Sequence, residues 1–151
     1  MRDYIPLGVF VLLVAGAAFF GSQFQPGSWY AGLRKPPLNP PNWVFAPVWS
    51  VLYLAIAASG WLVWRARPGS PVPLSLWAAQ LALNAAWSFL FFGLRRPGFA
   101  LVEILVLLVV LFATTVSFFA VGRLPGLLLA PYAAWVSFAA YLNAGIWYLN
   151  R

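Results

Sequence analysis

No charged residue falls between Asp3 and Arg34, between Lys35 and Arg65, between Arg67 and Arg95, or between Arg123 and Arg151, and the interval from Arg96 to Arg123 carries Glu103 alone. Each interval can hold the roughly 20 apolar residues that a helix needs to cross bilayer hydrocarbon. In that solvent a spanning segment must satisfy its own backbone hydrogen bonds, which leaves helices and closed barrels. Continuous apolar runs of this length, without period-two alternation, select the helix. The expectation is therefore an all-α membrane protein: a five-transmembrane-helix bundle in which residues 1–151 form a single domain. Charged residues make up only 7% of the chain, against about 25% in an ordinary soluble domain, and five spans with short connectors leave no length for a soluble module.

The predicted spans run over 4–24, 43–64, 74–92, 98–121 and 127–149. The first could also be read as a signal peptide, because Arg2 precedes an apolar core and Ala15-Gly16-Ala17 resembles a small-residue cleavage site; its apolarity continues through Phe20, so a retained span is expected. Between the first two spans lies a loop with a different character. Pro36, Pro37, Pro40 and Pro41 fix φ and push their preceding residues towards extended geometry, so 35–41 should be rigid and non-helical. Ahead of them, Ser28 could cap a short helix over 29–34. Trp29 and Tyr30 on so stiff a segment make a good lid. Pro47 fits the first turn of the second span, and Trp61 and Trp64 near its end suit an interfacial belt.

The formal charge of +7 does not indicate nucleic acid, since the basic residues flank apolar spans and form no patch. With neither Cys nor His, disulfides, thiolate chemistry, zinc sites and the usual axial ligands of haem are excluded, and Ser-His or Cys-His catalysis with them. No metal and no cofactor is implied. The same features suggest a bacterial source. Arg2, Arg65, Arg67 and Arg123 fall on one side of five spans, Arg34, Lys35, Arg95, Arg96 and Arg151 on the other, so the positive-inside rule does not orient the chain.

The third span is the most informative. At about 100° per residue, Ala78, Ala82 and Ala86 form a small-residue stripe while Gln80, Asn84, Trp87 and Phe91 gather opposite. Such a stripe permits close helix approach, either as a homodimer seam or against a helix of the same subunit. In the fourth span Glu103 shares a face with Leu107, Val110, Thr114 and Ser117, which should turn towards protein. An acid within the membrane is a functional candidate, but Glu103 sits only about 9 Å in from Pro97 at 1.5 Å per residue, which favours pairing with an interfacial Arg. In the fifth span Trp135, Ala139, Leu142 and Ile146 make one side, with Asn143 close by. Gln80, Asn84 and Asn143 need partners in hydrocarbon and should point inward, bonded to one another, to backbone or to a ligand. Trp49, Trp87 and Trp135 lie mid-span or on these polar faces. A cavity with Trp walls and a few amides fits a large, flat, mostly apolar ligand.

The run WYAGLRKPPLNPPNWVFAPVWSVLY (29–53), together with QLALNAAWSFLFFG (80–93) and PYAAWVSFAAYLN (131–143), resembles the signature of the TspO/MBR family, the tryptophan-rich sensory proteins related to the mitochondrial translocator protein. The resemblance spans nearly the whole chain. It implies a homodimer, which favours the seam, and a pocket beneath the first loop for porphyrins such as protoporphyrin IX, for sterols in animal members and for benzodiazepine-type drugs. Carried onto matching positions, that pocket comprises Tyr30, Pro41, Trp49, Asn84, Ser88, Trp135 and Ala139; the residue pattern adds Tyr53, Gln80, Trp87 and Asn143. Leu38 stands where many relatives have a loop Trp. Arg34 and Lys35 could meet porphyrin propionates at the mouth. Leu142, Tyr148 and Arg151 fit a sterol pattern, but its reverse form is also met by Arg2-Tyr4-Leu7 and Arg96-Phe99-Leu101, so it carries little weight.

Three functions are compatible with this reading: a membrane receptor or sensor for tetrapyrroles or related lipids with the loop as gate, a light- and oxygen-dependent porphyrin-degrading enzyme with Trp49 and Trp135 at its centre, and a slow carrier. The chain shows no internal repeat or broken helix pair of the kind common in transporters. The first is expected.

Overall fold

The computed structural model describes residues 4–151, so Arg2 and the arguments that used it lie outside the described residues. Six α-helices follow one another: α1 (Tyr4–Ser22), α2 (Ser28–Ala31), α3 (Phe45–Ala66), α4 (Pro71–Ser88), α5 (Pro97–Val121) and α6 (Arg123–Asn150). No strand occurs among the described residues. All except α2 belong to stretches long and apolar enough to cross a membrane. The protein is an integral, multi-pass membrane protein.

The five long helices form a closed ring, with α1 against α3 and α4, α4 against α5, α5 against α6, and α6 against α3. Short turns at 67–70, 94–96 and Gly122 make sequential neighbours antiparallel. Ile56, Leu111, Phe118 and Leu129 are fully buried at the centre. Close approach of α1, α3 and α4 depends on Gly60, where an added Cβ would lie 2.8 Å from both the Phe10 ring and Trp77 Nε1. Trp77 Nε1 in turn donates to the Ile56 carbonyl at 3.0 Å.

Several boundaries differ from the sequence-based ones for local reasons. The loop helix is one turn, Ser28–Ala31, and Gly27 rather than Ser28 precedes it. Lys35 shortens it by turning back on its carbonyls, as described below. A 3₁₀ turn over Asn42–Val44 leads into α3, so Trp43 precedes the α-helix proper. Beyond Ser88, α4 widens into a π turn over Phe89–Gly93. The last helix begins at Arg123, one turn before the expected Leu127, which leaves Pro131 inside it. There the proline lacks the N–H that would bond the Leu127 carbonyl.

The face assignments can be read directly from burial. On α4, Gln80 and Asn84 are buried while Ala78 and Ala82 are exposed and Ala86 is half-buried, so the alanine stripe looks outward from the ring rather than into a neighbouring helix of the same chain. On α5, Leu107 and Thr114 are buried, and Thr114 Oγ1 bonds its own helix at the Val110 carbonyl. Glu103 departs from expectation. Among the described residues no Arg reaches it, and both of its carboxyl oxygens are buried without a hydrogen-bond partner. The arginines of the α4–α5 turn are exposed and Glu103 faces the ring, so the interfacial pairing does not form.

Candidate functional site: a tryptophan-walled cavity beneath the first loop

The ring encloses a cavity of about 500 Å³ at the end covered by the loop. This volume is typical of small-molecule and cofactor sites. All five long helices and the loop supply its walls. From α3 come Phe45, Trp49 and Tyr53, one face of the helix at spacings of four. The end of α4 contributes Asn84, Trp87, Ser88, Phe91 and Phe92, α6 contributes Trp135, Ala139, Leu142, Asn143 and Ile146, and the loop contributes Tyr30 and Asn39. The remaining sides are formed by Ala18, Gly21 and Ser22 of α1 and by Ile104 and Leu107 of α5.

Nine of the residues singled out from sequence thus meet around one space: Tyr30, Trp49, Tyr53, Asn84, Trp87, Ser88, Trp135, Ala139 and Asn143. Pro41 does not join them. It is exposed and precedes the 3₁₀ turn at the start of α3. Gln80 lies one turn deeper than Asn84, fully buried and outside the cavity wall. Arg34 is exposed. The Lys35 ammonium is already engaged, donating to the carbonyls of Tyr30 at 2.8 Å and Leu33 at 3.2 Å, and it lies 4.6 Å from the centre of the Tyr30 ring. It therefore acts as a C-terminal cap for α2, where a cation satisfies the free carbonyls. Leu38 points away from the cavity, 80% exposed, with φ at +71°.

Two polar systems fix the walls. In the first, Tyr53 donates to Asn84 Oδ1 (3.5 Å), Asn84 Nδ2 donates to the Tyr132 hydroxyl (2.7 Å), and Tyr132 donates to Gln80 Oε1 (2.7 Å). This chain runs from the cavity wall into the core and ties α3, α4 and α6 together. In the second, Trp87 Nε1 donates to Asn143 Oδ1 (2.9 Å) while Asn143 Nδ2 donates to the Pro97 carbonyl (2.8 Å). That carbonyl is at the start of α5, so Asn143 orients the Trp87 indole and anchors the α5 terminus at once. Trp135 Nε1 is buried with no partner among the described residues.

The sequence reading missed Tyr132, the hub of the first system and fully buried. A signal existed: a tyrosine in mid-span needs a partner for its hydroxyl, and Tyr132 lies three residues from Trp135 on the same helix. It also missed Phe91 and Phe92 as a pair. The π turn lets both rings approach Tyr30, at 6.3 and 5.5 Å between centroids, and Trp87 stacks on Phe91 at 5.0 Å. Of the sterol pattern, Leu142 is buried whereas Tyr148 is 61% exposed with Arg151 stacked 4.6 Å above its ring, so the three do not share a face.

The space offers apolar surface, aromatic ring faces and neutral hydrogen-bonding groups. Its wall holds indoles, phenyl rings, five carboxamides and five hydroxyls, and no acid, base or thiol. Among the described residues no group of potential metal ligands occurs.

Comparison with known proteins agrees with this architecture. The human "Translocator protein" is 43% identical over 155 aligned residues, covering 98% of this chain and 92% of its own length. "Protein CrtK" of Rhodobacter capsulatus is 38% identical, covering 94% and 91%, and the "Tryptophan-rich sensory protein" of Cereibacter sphaeroides is 36% identical, covering 98% and 93%. A family-level match over residues 9–149 takes in all five spans, the proline-rich loop and every wall of the cavity, and on these grounds the chain belongs to the TspO/MBR family.

Proposed function

We propose that the protein is a membrane receptor or sensor that captures a large, flat, mostly apolar ligand, a tetrapyrrole such as protoporphyrin IX, in the cavity beneath the loop. The observation that carries this reading is the wall itself: Trp49, Trp87 and Trp135 stand on three different helices around one space of about 500 Å³. Each ring that stacks on a planar ligand contributes roughly 0.5–1.5 kcal/mol beyond area burial, and Asn84 and Ser88 supply the few polar groups that set orientation. Sterol-like lipids and benzodiazepine-type drugs are the other members of the ligand class that the family resemblance suggests. The outward alanine face of α4 (Ala78, Ala82, Ala86) supports a homodimer seam.

Equilibrium dialysis of the detergent-held protein against protoporphyrin IX in the dark tests the receptor reading. Saturable uptake of one porphyrin per chain, displaced by excess unlabelled ligand, is the expected result. Uptake that rises linearly with porphyrin, as for empty micelles, would sink it.

Light-dependent degradation is a second reading, favoured by the placement of Trp49 and Trp135 on the neighbouring helices α3 and α6, both in the wall of the same cavity. The photoexcited porphyrin would supply the reactivity, dioxygen the oxidant and the electron-rich indoles nearby electron donors. If Trp49→Phe and Trp135→Phe bind porphyrin but no longer bleach it under illumination in air, the second reading holds; wild-type bleaching in both removes it.

A further inference from the structure

The loop is held from two sides. On one, Trp29 and Tyr30 pack on Phe91, with ring centroids 5.7 and 6.3 Å away. On the other, its proline segment is fastened to the C-terminal half of α6. The Asn150 carboxamide makes a two-point clamp on the backbone of one residue: the Arg34 backbone N–H donates to Asn150 Oδ1 at 3.0 Å, and Asn150 Nδ2 donates to the Arg34 carbonyl at 2.8 Å. Asn150 Nδ2 also reaches the Ile146 carbonyl of its own helix at 2.7 Å, which fixes its rotamer. Two turns earlier, Tyr141 donates to the Pro37 carbonyl at 2.9 Å. Between them Gly145 leaves room for Pro36, which is buried; a Cβ on Gly145 would lie 2.5 Å from the proline's own Cβ.

These contacts join residues more than 100 apart in sequence, and they complement one another. A carboxamide is the side chain that can both donate to and accept from one backbone residue. The prolines cannot donate, so the clamp falls on Arg34, which keeps its N–H, and on the Pro37 carbonyl. Glycine inside a helix costs roughly 1 kcal/mol relative to alanine, and its use at 145 is explained by the seat it makes for Pro36.

We propose that Tyr141, Gly145 and Asn150 form a latch by which α6 holds the loop closed over the cavity, so that releasing this latch controls aqueous access to it. Asn150 is a positioning residue, since it touches the loop and not the cavity. The consequence for ligand exchange rests on the receptor reading above, but the latch itself is tested without any ligand. The chain has no cysteine, so Ser88→Cys, on the cavity wall, gives a single reporter thiol for a water-soluble maleimide on protein in lipid nanodiscs. Asn150→Ala in that background should raise the labelling rate roughly fivefold, the factor set by the net worth of one hydrogen bond. Gly145→Ala should do the same by lifting Pro36 while favouring the helix, so its effect is not one of unfolding. Ser70→Cys, in the turn at the opposite end of the bundle, should label at one rate in all backgrounds. Unchanged Ser88→Cys labelling in both latch variants, with helical circular dichroism retained, would overturn the proposal.

Discussion

Removing one oxygen atom tests how the core and the cavity wall are joined. In Tyr132→Phe the ring stays and the hydroxyl goes, so shape is preserved while two hydrogen bonds of 2.7 Å are lost together. Asn84 Nδ2 loses its acceptor, and Gln80 is left with neither amide end bonded, because its Nε2 already lacks a partner among the described residues. Gln80 is 0% and Asn84 6% exposed, so water cannot readily substitute. Leaving a buried polar group unsatisfied costs about 1–3 kcal/mol each. Within a bilayer the unfolded reference also finds partners, and measured side-chain bonds average about 0.6 kcal/mol with a maximum near 1.7. Two bonds then give a loss of about 1–3 kcal/mol. Thermal unfolding in detergent, followed by circular dichroism, should show a clearly lowered midpoint. Gln80→Leu removes the deepest member of the chain, so the double variant should be less destabilised than the sum of the singles, with a coupling of about 0.5–1.5 kcal/mol. A wild-type midpoint for Tyr132→Phe, or strict additivity with Gln80→Leu, would refute the argument that this chain of bonds holds α3, α4 and α6 in register.

Other perturbations have defined outcomes. Gly60→Ala drives a methyl into Phe10 and Trp77 and should cost about 1–3 kcal/mol, as overpacking does; the same unfolding assay measures it. Glu103→Leu should leave the midpoint unchanged or raise it, because an unpartnered buried carboxyl costs free energy that leucine does not; a marked fall would reveal a partner for Glu103. Lys35→Met retains the apolar stem but loses the bonds to the Tyr30 and Leu33 carbonyls, so proteolysis within the loop should accelerate while the midpoint of the bundle moves little. Asn143→Leu frees the Trp87 indole and the Pro97 carbonyl together, and should both lower stability by about 1–2 kcal/mol and shift the tryptophan emission spectrum.

Five spans, a stiff aromatic loop and the inward faces of α4 and α6 were legible in the sequence because hydrocarbon imposes simple rules: length, absence of charge, and partners for every amide. The loop's internal wiring was not. Lys35 lies five residues after Tyr30 and could equally have faced a ligand, and only the path of the backbone over 31–35 turns its ammonium onto the Tyr30 and Leu33 carbonyls. The helical face of Glu103 turns towards protein as its periodicity predicts, but its depth near Pro97 does not bring it an arginine, because the arginines of the α4–α5 turn are exposed while its carboxyl is buried. The π turn at 89–93 leaves no mark in a run of FLFFG, yet it decides that Phe91 and Phe92 both reach Tyr30. Asn150 and Arg34 are joined across 116 positions, a long-range pairing that no periodicity reports.

The tryptophan-walled space is where the ligand is proposed to sit. A dark titration with protoporphyrin IX, following quenching of tryptophan fluorescence in the wild type, in Trp135→Leu and in Asn84→Ala, tests it most directly. Saturable quenching at micromolar or lower concentration, weakened in both variants while each stays folded by circular dichroism at the titration temperature, is the predicted result. Saturable quenching that neither substitution alters would place the porphyrin elsewhere on the protein and contradict the account.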